Sequence, residues 1–208
     1  MKKERRALIE ACRRLDQLGF VPATDGNLSV RLDRSRILIT PSMVSKSCLR
    51  AGQLLICDME GRVVVGKGNP SSEMKMHLFA YQRRPEVRAV VHAHPPTATA
   101  FAAARKALDK PVLPEVMLTV GRIPLARYAT PSTTEVTRSL EPLIMEHNTI
   151  LLANHGVLAL GRSLSEALHR MERTEHFARV MAAAQAWDGP AILNKGQIKK
   201  LLDTFGDF

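Results

Sequence analysis

Leu8, Ala11, Cys12, Leu15 and Leu18 recur at the three-and-four spacing of one helical face and stop at Gly19, which predicts an amphipathic helix at the start of the chain. Beyond it the period shortens. Leu28 to Leu32, Arg36 to Thr40 and Leu54 to Asp58 are short apolar or alternating runs separated by Asp, Ser, Pro and Gly, the pattern of strands, and Met59-Glu60-Gly61-Arg62 reads as a hairpin turn. Ser71 or Ser72 is placed to cap a helix that ends near Pro85. Val87 to His92 reads as a buried strand with a histidine at its end, followed by a helix through Thr97 to Lys106. Thr149 to Ala153 and Val157 to Leu160 are strands that flank Asn154-His155-Gly156. Ser163 and Glu166 form a capping box at the head of a long helix that reaches Trp187. The pattern as a whole predicts an α/β fold with a central, largely antiparallel or mixed sheet and helices on its faces. With no repeat, low-complexity tract or linker in 208 residues, one domain spanning 1–208 is expected.

Composition narrows the class. At 45% hydrophobic residues the chain can bury a full core, yet no apolar run approaches the roughly 18 residues of a membrane span. Its first residues, MKKERRALIEACRRL, carry charge throughout and contain no separate apolar stretch, so a cytoplasmic protein without a membrane partner is expected. Cys12, Cys48 and Cys57 are odd in number, far apart and free of CxxC spacing, which points to buried, reduced thiols and to neither a disulfide framework nor a cysteine metal site. The formal charge of +10 raises a nucleic-acid partner, but aromatics are 4% and none interleave with the basic residues of the first helix or with Lys199 and Lys200. A solvated basic surface that attracts anionic substrates fits better, with no nucleic-acid partner.

The candidate chemistry centres on histidine. His92 and His94 stand two apart at a strand end, where both side chains point to one side and can reach one ion. His155, in the turn beside Gly156, is the natural third ligand, and three protein ligands with an open position mark catalytic metal sites. Taken alone, such a pair is equally compatible with packed or surface histidines. Glu73 follows Pro70-Ser71-Ser72 at a predicted helix start, where backbone N–H groups, the positive helix end and two hydroxyls suit an anion; simple capping would produce the same pattern. His77, one turn further, could share the face of Glu73 and reads as a supporting residue. Thr24-Asp25-Gly26-Asn27-Leu28-Ser29 and Thr40-Pro41-Ser42 are polar turns at strand ends.

Read together and in order, TDGNLS, TPS, NPSSE, HAHPPTATA, RYATPST and NHG resemble the class II aldolase/adducin family, above all its fuculose-phosphate branch, over nearly the whole chain. The resemblance implies a three-layer α/β/α sandwich with a central, mostly antiparallel sheet. It also implies a homotetramer with active sites at subunit interfaces. His92, His94 and His155 match the family's metal ligands, with one divalent ion per subunit, Zn2+ by preference and Mn2+ or Co2+ as alternatives. Glu73 matches the carboxylate that binds the resting metal and serves as acid/base. Gly26, Asn27, Ser42, Ser71 and Ser72 match positions that bind the substrate's phosphate, together with Met43, where related sequences commonly carry glycine. The implied activity is reversible cleavage of a ketose 1-phosphate, a small phosphorylated sugar, to dihydroxyacetone phosphate and a short aldehyde through a metal-stabilised ene-diolate.

Two departures qualify that expectation. Met43 could narrow the phosphate pocket or replace a contact that glycine permits. The fuculose-phosphate branch also draws its proton donor, a tyrosine, from a neighbouring subunit. This chain has tyrosines only at 81 and 128, and Leu113-Pro114-Glu115-Val116-Met117 occupies the corresponding stretch, so the resemblance implies Glu115 or a water as the expected substitute acid. A pentulose-phosphate 4-epimerase and a sugar-acid-phosphate decarboxylase or dehydratase share the scaffold and the first chemical step. A non-catalytic, adducin-like module would be expected to lose the histidines and Glu73, which this chain keeps.

Overall fold

The computed structural model describes residues 1–206. The chain opens with α1 (Lys2–Gln17) and then builds β1 (Asn27–Arg31), β2 (Arg36–Ile39), β3 (Leu55–Asp58) and β4 (Val63–Val65). Next come α2 (Met74–Arg83), β5 (Ala89–Ala93), α3 (Pro96–Ala103), α4 (Pro114–Thr119), β6 (Leu125–Ala126) and α5 (Thr134–Leu140). The last elements are β7 (Thr149–Leu152), β8 (Gly156–Gly161), α6 (Leu164–Ala184) and α7 (Lys195–Phe205). The strands form one eight-stranded sheet in the order β4-β3-β2-β1-β5-β8-β7-β6. Every neighbouring pair is antiparallel except β6 and β7.

The sheet has an apolar face on either side, which is why β5, β7 and β8 are buried at every residue. Alternation sorts the side chains. Val91, Val157 and Ala159 face one core with Leu8, Leu15, Met171 and Phe177 from α1 and α6. Val90, Leu158 and Leu160 face the other with Met76, Tyr81, Val136 and Leu140 from α2 and α5. The product is a three-layer α/β/α sandwich. Among the described residues, no helix is long and apolar enough to cross a membrane.

Most boundaries fall where the pattern puts them, and the exceptions have local causes. Ser163 caps α6 by accepting from the Glu166 N–H, but Glu166 reaches back to the Arg162 N–H instead of Ser163, so the reciprocal half of the box is displaced by one residue. The helix expected from Ser71 or Ser72 begins only at Met74; the Ser71 N–H is spent on the Thr40 carbonyl, which ties this segment to the end of β2. Cys12 and Cys57 are buried thiols as expected, whereas Cys48 is exposed.

The fold gathers the polar motifs at one end of the sheet. β1 begins there, β2 and β5 finish there, and β7 turns into β8 there; β6, parallel to β7, delivers Arg127 to Thr133 to the same end. Gly26 makes the entry to β1 possible. Its φ is +69°, and a Cβ would stand 2.5 Å from Val21 Cγ1 and 2.9 Å from the His92 carbonyl oxygen. Gly26→Ala combines left-handed strain with overpacking, so urea unfolding is expected to show a loss of about 2–4 kcal/mol.

Candidate metal centre

His92 lies within β5 and is fully buried, on the sheet face that looks toward α2. His94 follows one residue past the strand, where its N–H donates to the Phe20 carbonyl. His155 sits in the turn between β7 and β8, where Asn154 takes the left-handed conformation at φ +56°. Gly156, next in the chain, leaves no room for a side chain: a Cβ there would meet the Ala93 oxygen and His94 Cδ2, both at 2.6 Å. Glycine therefore lets the turn close against the strand that carries the other two histidines. One ligand nitrogen from each histidine lies within 4.8 Å of the others.

The ring orientations are set from behind. His92 Nδ1 donates to the Val157 carbonyl at 3.0 Å, and His94 Nδ1 to Asp25 Oδ2 at 3.3 Å. Each ring then directs Nε2 inward, where the two Nε2 atoms stand 3.1 Å apart. Two imidazole lone pairs at that separation repel unless something positive lies between or beside them. Glu73 completes the cluster, with Oε2 3.2 Å from His92 Nε2 and Oε1 3.4 Å from His155 Nε2. Glu73 Oε1 is buried and has no hydrogen-bond partner. An orphaned carboxylate oxygen facing three converging imidazoles fits the donor set that a divalent cation takes.

Burial by itself would raise the Glu73 carboxyl, but the charge and hydrogen bond of His92, then His155 and Asn27, hold it well below the usual carboxylate range. For His92, burial works against the charged form and Glu73 outweighs it, so the ring is raised. His155 is pushed down to about 4 by burial and by His92, and His94 is lowered for the same reasons. The lowered His94 and His155 rings and the ionised Glu73 carboxylate are in the protonation states that metal binding needs, and a bound cation would displace the proton that Glu73 favours on His92.

Beside the histidines lies a cavity of about 220 Å³, lined in part by Gly26, Asn27, Ser42, Met43, Ser71 and Ser72 together with Glu73, His94 and His155. The chain thus brings all the expected phosphate-site positions into one cleft with the metal candidates. The backbone N–H groups of Ser42 and Ser71 are already used, on the Asn69 and Thr40 carbonyls; the Ser71 hydroxyl accepts from the Glu73 N–H at 3.3 Å and keeps its own proton to donate to a ligand, as does the Ser42 hydroxyl. Met43 holds the glycine-like conformation at φ +57°, and its side chain is 80% exposed, so it rims the cleft without filling it. Glu115 is exposed on α4 and does not line this cleft. A larger cleft of about 720 Å³, between α3 and α6, contains no histidine.

Three residues gain a role that their spacing did not reveal. Asp25 orients His94. Lys46 is buried, and its Nζ donates to the Thr24 and Val44 carbonyls at 2.8 and 2.9 Å, tying together the two loops that form the cleft. Ser132 lines the cleft from the loop after β6. Asp25 and Ser132 lie inside the quoted motifs, whereas Lys46 had no local signal.

Residues 6–182 match the profile of the Class II Aldolase and Adducin N-terminal domain family. An L-fuculose phosphate aldolase of Methanococcus maripaludis is 36% identical over 172 residues, which is 83% of this chain and 92% of that protein. A 3-oxo-tetronate 4-phosphate decarboxylase of Haemophilus influenzae is 32% identical over 187 residues, 88% of each chain. A solved structure of an L-fuculose 1-phosphate aldolase superposes with a TM-score of 0.90 at 29% identity, over 99% of this chain and 97% of that one.

His77 offers a test of the buried polar layer beneath the cluster. Burial, then the charge of His92, lowers its pKa to about 3 from 6.5, so as pH falls through that window the unfolded chain gains a proton that the native one refuses. The native state loses stability accordingly. Urea titrations of metal-free protein are expected to show the stability gap between wild type and His77→Gln closing by up to ~1.4 kcal/mol per pH unit below pH 6.5.

Proposed function

Because the chain belongs to the class II aldolase and adducin family, we propose that it is a divalent-metal-dependent aldolase acting on a ketose 1-phosphate of the L-fuculose-1-phosphate kind. In this reading it releases dihydroxyacetone phosphate and a short aldehyde, and it works as a single-domain cytoplasmic homotetramer. The observation that carries the reading is the unpartnered Glu73 oxygen facing His92, His94 and His155.

His92, His94 and His155 would hold the ion, Zn2+ by preference and Mn2+ or Co2+ otherwise, with Glu73 as a resting ligand. The bound ion would supply Lewis-acid polarisation of the substrate carbonyl and stabilise the negative charge that develops when the neighbouring bond breaks. In the condensation direction Glu73 takes the proton from the carbon that becomes nucleophilic, for which its ionised state at neutral pH suits it, and in cleavage it returns that proton to the same carbon. The hydroxyls of Ser42, Ser71 and Ser72, with backbone groups of Gly26, Asn27 and Met43, hold the phosphate and so fix which carbon faces Glu73. Glu115 lies outside its own chain's cleft, and in this reading it serves a neighbouring subunit, giving a proton to the aldehyde oxygen in condensation and taking it back in cleavage.

The decarboxylase relative supports a second reading, loss of carbon dioxide from a sugar-acid phosphate, which begins with the same charge development next to a carbonyl. An epimerase or dehydratase would share that step too.

Metal-assayed protein combined with dihydroxyacetone phosphate and a panel of short aldehydes is expected to form carbon–carbon bonds detectable by mass spectrometry, and His94→Ala to lose both metal and product. Bound metal without condensation, but with carbon dioxide release from 3-oxo-tetronate 4-phosphate, would replace the aldolase by the decarboxylase. Glu73→Gln is expected to lower turnover by roughly 10²–10⁴-fold. If Glu115→Gln leaves turnover unchanged, a water takes the acid's place.

A further inference from the structure

We propose that His77 is a positioning residue for Glu73: it fixes the orientation of the Asn27 amide, and through it the carboxylate on the histidine cluster. The inference rests on the reading of Glu73 as the acid/base. His77 stands on α2 one turn beyond Glu73 and is fully buried, yet it does not join the metal candidates. Its Nε2 lies 2.6 Å from Asn27 Oδ1 and its Nδ1 2.7 Å from Ser29 Oγ. Asn27 Nδ2 lies 2.8 Å from Glu73 Oε2, and Ser29 Oγ lies 2.8 Å from the Tyr81 hydroxyl. Five side chains thus form one buried line from Tyr81 to the cleft.

One acceptor-only group sets the direction of every bond in that line. The Glu73 carboxylate can only accept, so Asn27 donates to it and turns its carbonyl oxygen toward His77. The imidazole then donates from Nε2 and keeps its lone pair on Nδ1. Ser29 donates to that lone pair and accepts from Tyr81. An imidazolium is disfavoured because among the described residues no carboxylate hydrogen-bonds to His77, and burial holds the ring neutral.

The need for His77 follows from the near-symmetry of an amide. β1 fixes the Asn27 backbone opposite His92, but rotation about the last side-chain bond would present the carbonyl oxygen to Glu73 and repel it. The fixed Nε2–H of His77 makes that rotation unfavourable. The geometry is built into two periods: Glu73, His77 and Tyr81 are four apart along a helix, a rise of about 6 Å, and Asn27 and Ser29 are two apart on a strand, about 6.8 Å. The two spacings match closely enough for helix and strand to interlock.

The deciding measurement is the tautomer of His77 by 15N NMR of the full-length wild-type protein, assigned by the resonance lost in His77→Gln. A neutral ring protonated on Nε2 is expected; protonation on Nδ1, or an imidazolium at neutral pH, overturns the proposal because Asn27 would then be reversed or unconstrained. Kinetics supply the second readout. His77→Gln keeps an N–H donor near the ε position and is expected to retain kcat within about threefold, whereas His77→Leu loses about 10–100-fold in kcat with little change in KM. A His77→Leu enzyme with full kcat would also overturn it. If no variant turns over any of the sugar phosphates tested, the proposed function fails, while the tautomer still decides the orientation of Asn27.

Discussion

Across the ladder between β1 and β5, Asn27 faces His92, and the geometry of the cleft depends on that register. A slip of one residue would turn His92 toward the α1 and α6 side of the sheet and separate Asn27 from Glu73. The register is held by burial on both faces, since every residue of β5 is enclosed and the same slip would exchange its two apolar sets. The antiparallel order of the central strands then brings their polar ends to one end of the sheet, so that loops distant in the chain meet at a rigid rim.

A packed scaffold of this kind can hold groups in an arrangement they would not adopt alone. His92 and His94 hold their Nε2 atoms 3.1 Å apart, and Glu73 keeps a buried oxygen unpaired, although each could relax in a flexible loop. Their supports are in the fold: the Val157 carbonyl behind His92, Asp25 behind His94, and Asn27 behind Glu73. Met43 shows the same subordination of local preference to tertiary geometry. It keeps a left-handed conformation that favours glycine, because the loop between β2 and β3 is anchored by Lys46 and by the Ser42 N–H.

The cluster is suited to a class of reactions more than to one substrate. A cation site, a carboxylate with a low pKa and an adjacent hydroxyl-lined cleft are enough for chemistry next to a carbonyl, and relatives of this chain are named both as aldolases and as decarboxylases. What separates such outcomes is the group that meets the far end of the substrate. Within one chain Ser132 lines the cleft from the loop after β6, and Glu115 lies outside it.

Much of this was readable from the sequence because the signals are local. The period of Leu8 to Leu18, the alternation of the short strands, the His92–His94 spacing and six motifs in a set order each depend on residues close in the chain, and they were sufficient for the α/β/α sandwich and its family. The helix after Ser71 starts late because the Ser71 N–H is taken by the end of β2, and Gly156 is required for a close approach to Ala93 and His94; both outcomes were decided by a neighbour from another element. The same holds for Lys46, for Asp25 behind His94 and for the line from Tyr81 to Glu73. Spacing specifies which side chains share a face of one helix or strand. Which faces meet, and hence which hydrogen bonds and charges a buried group encounters, is decided only when the sheet register and the packing of α2 bring them together.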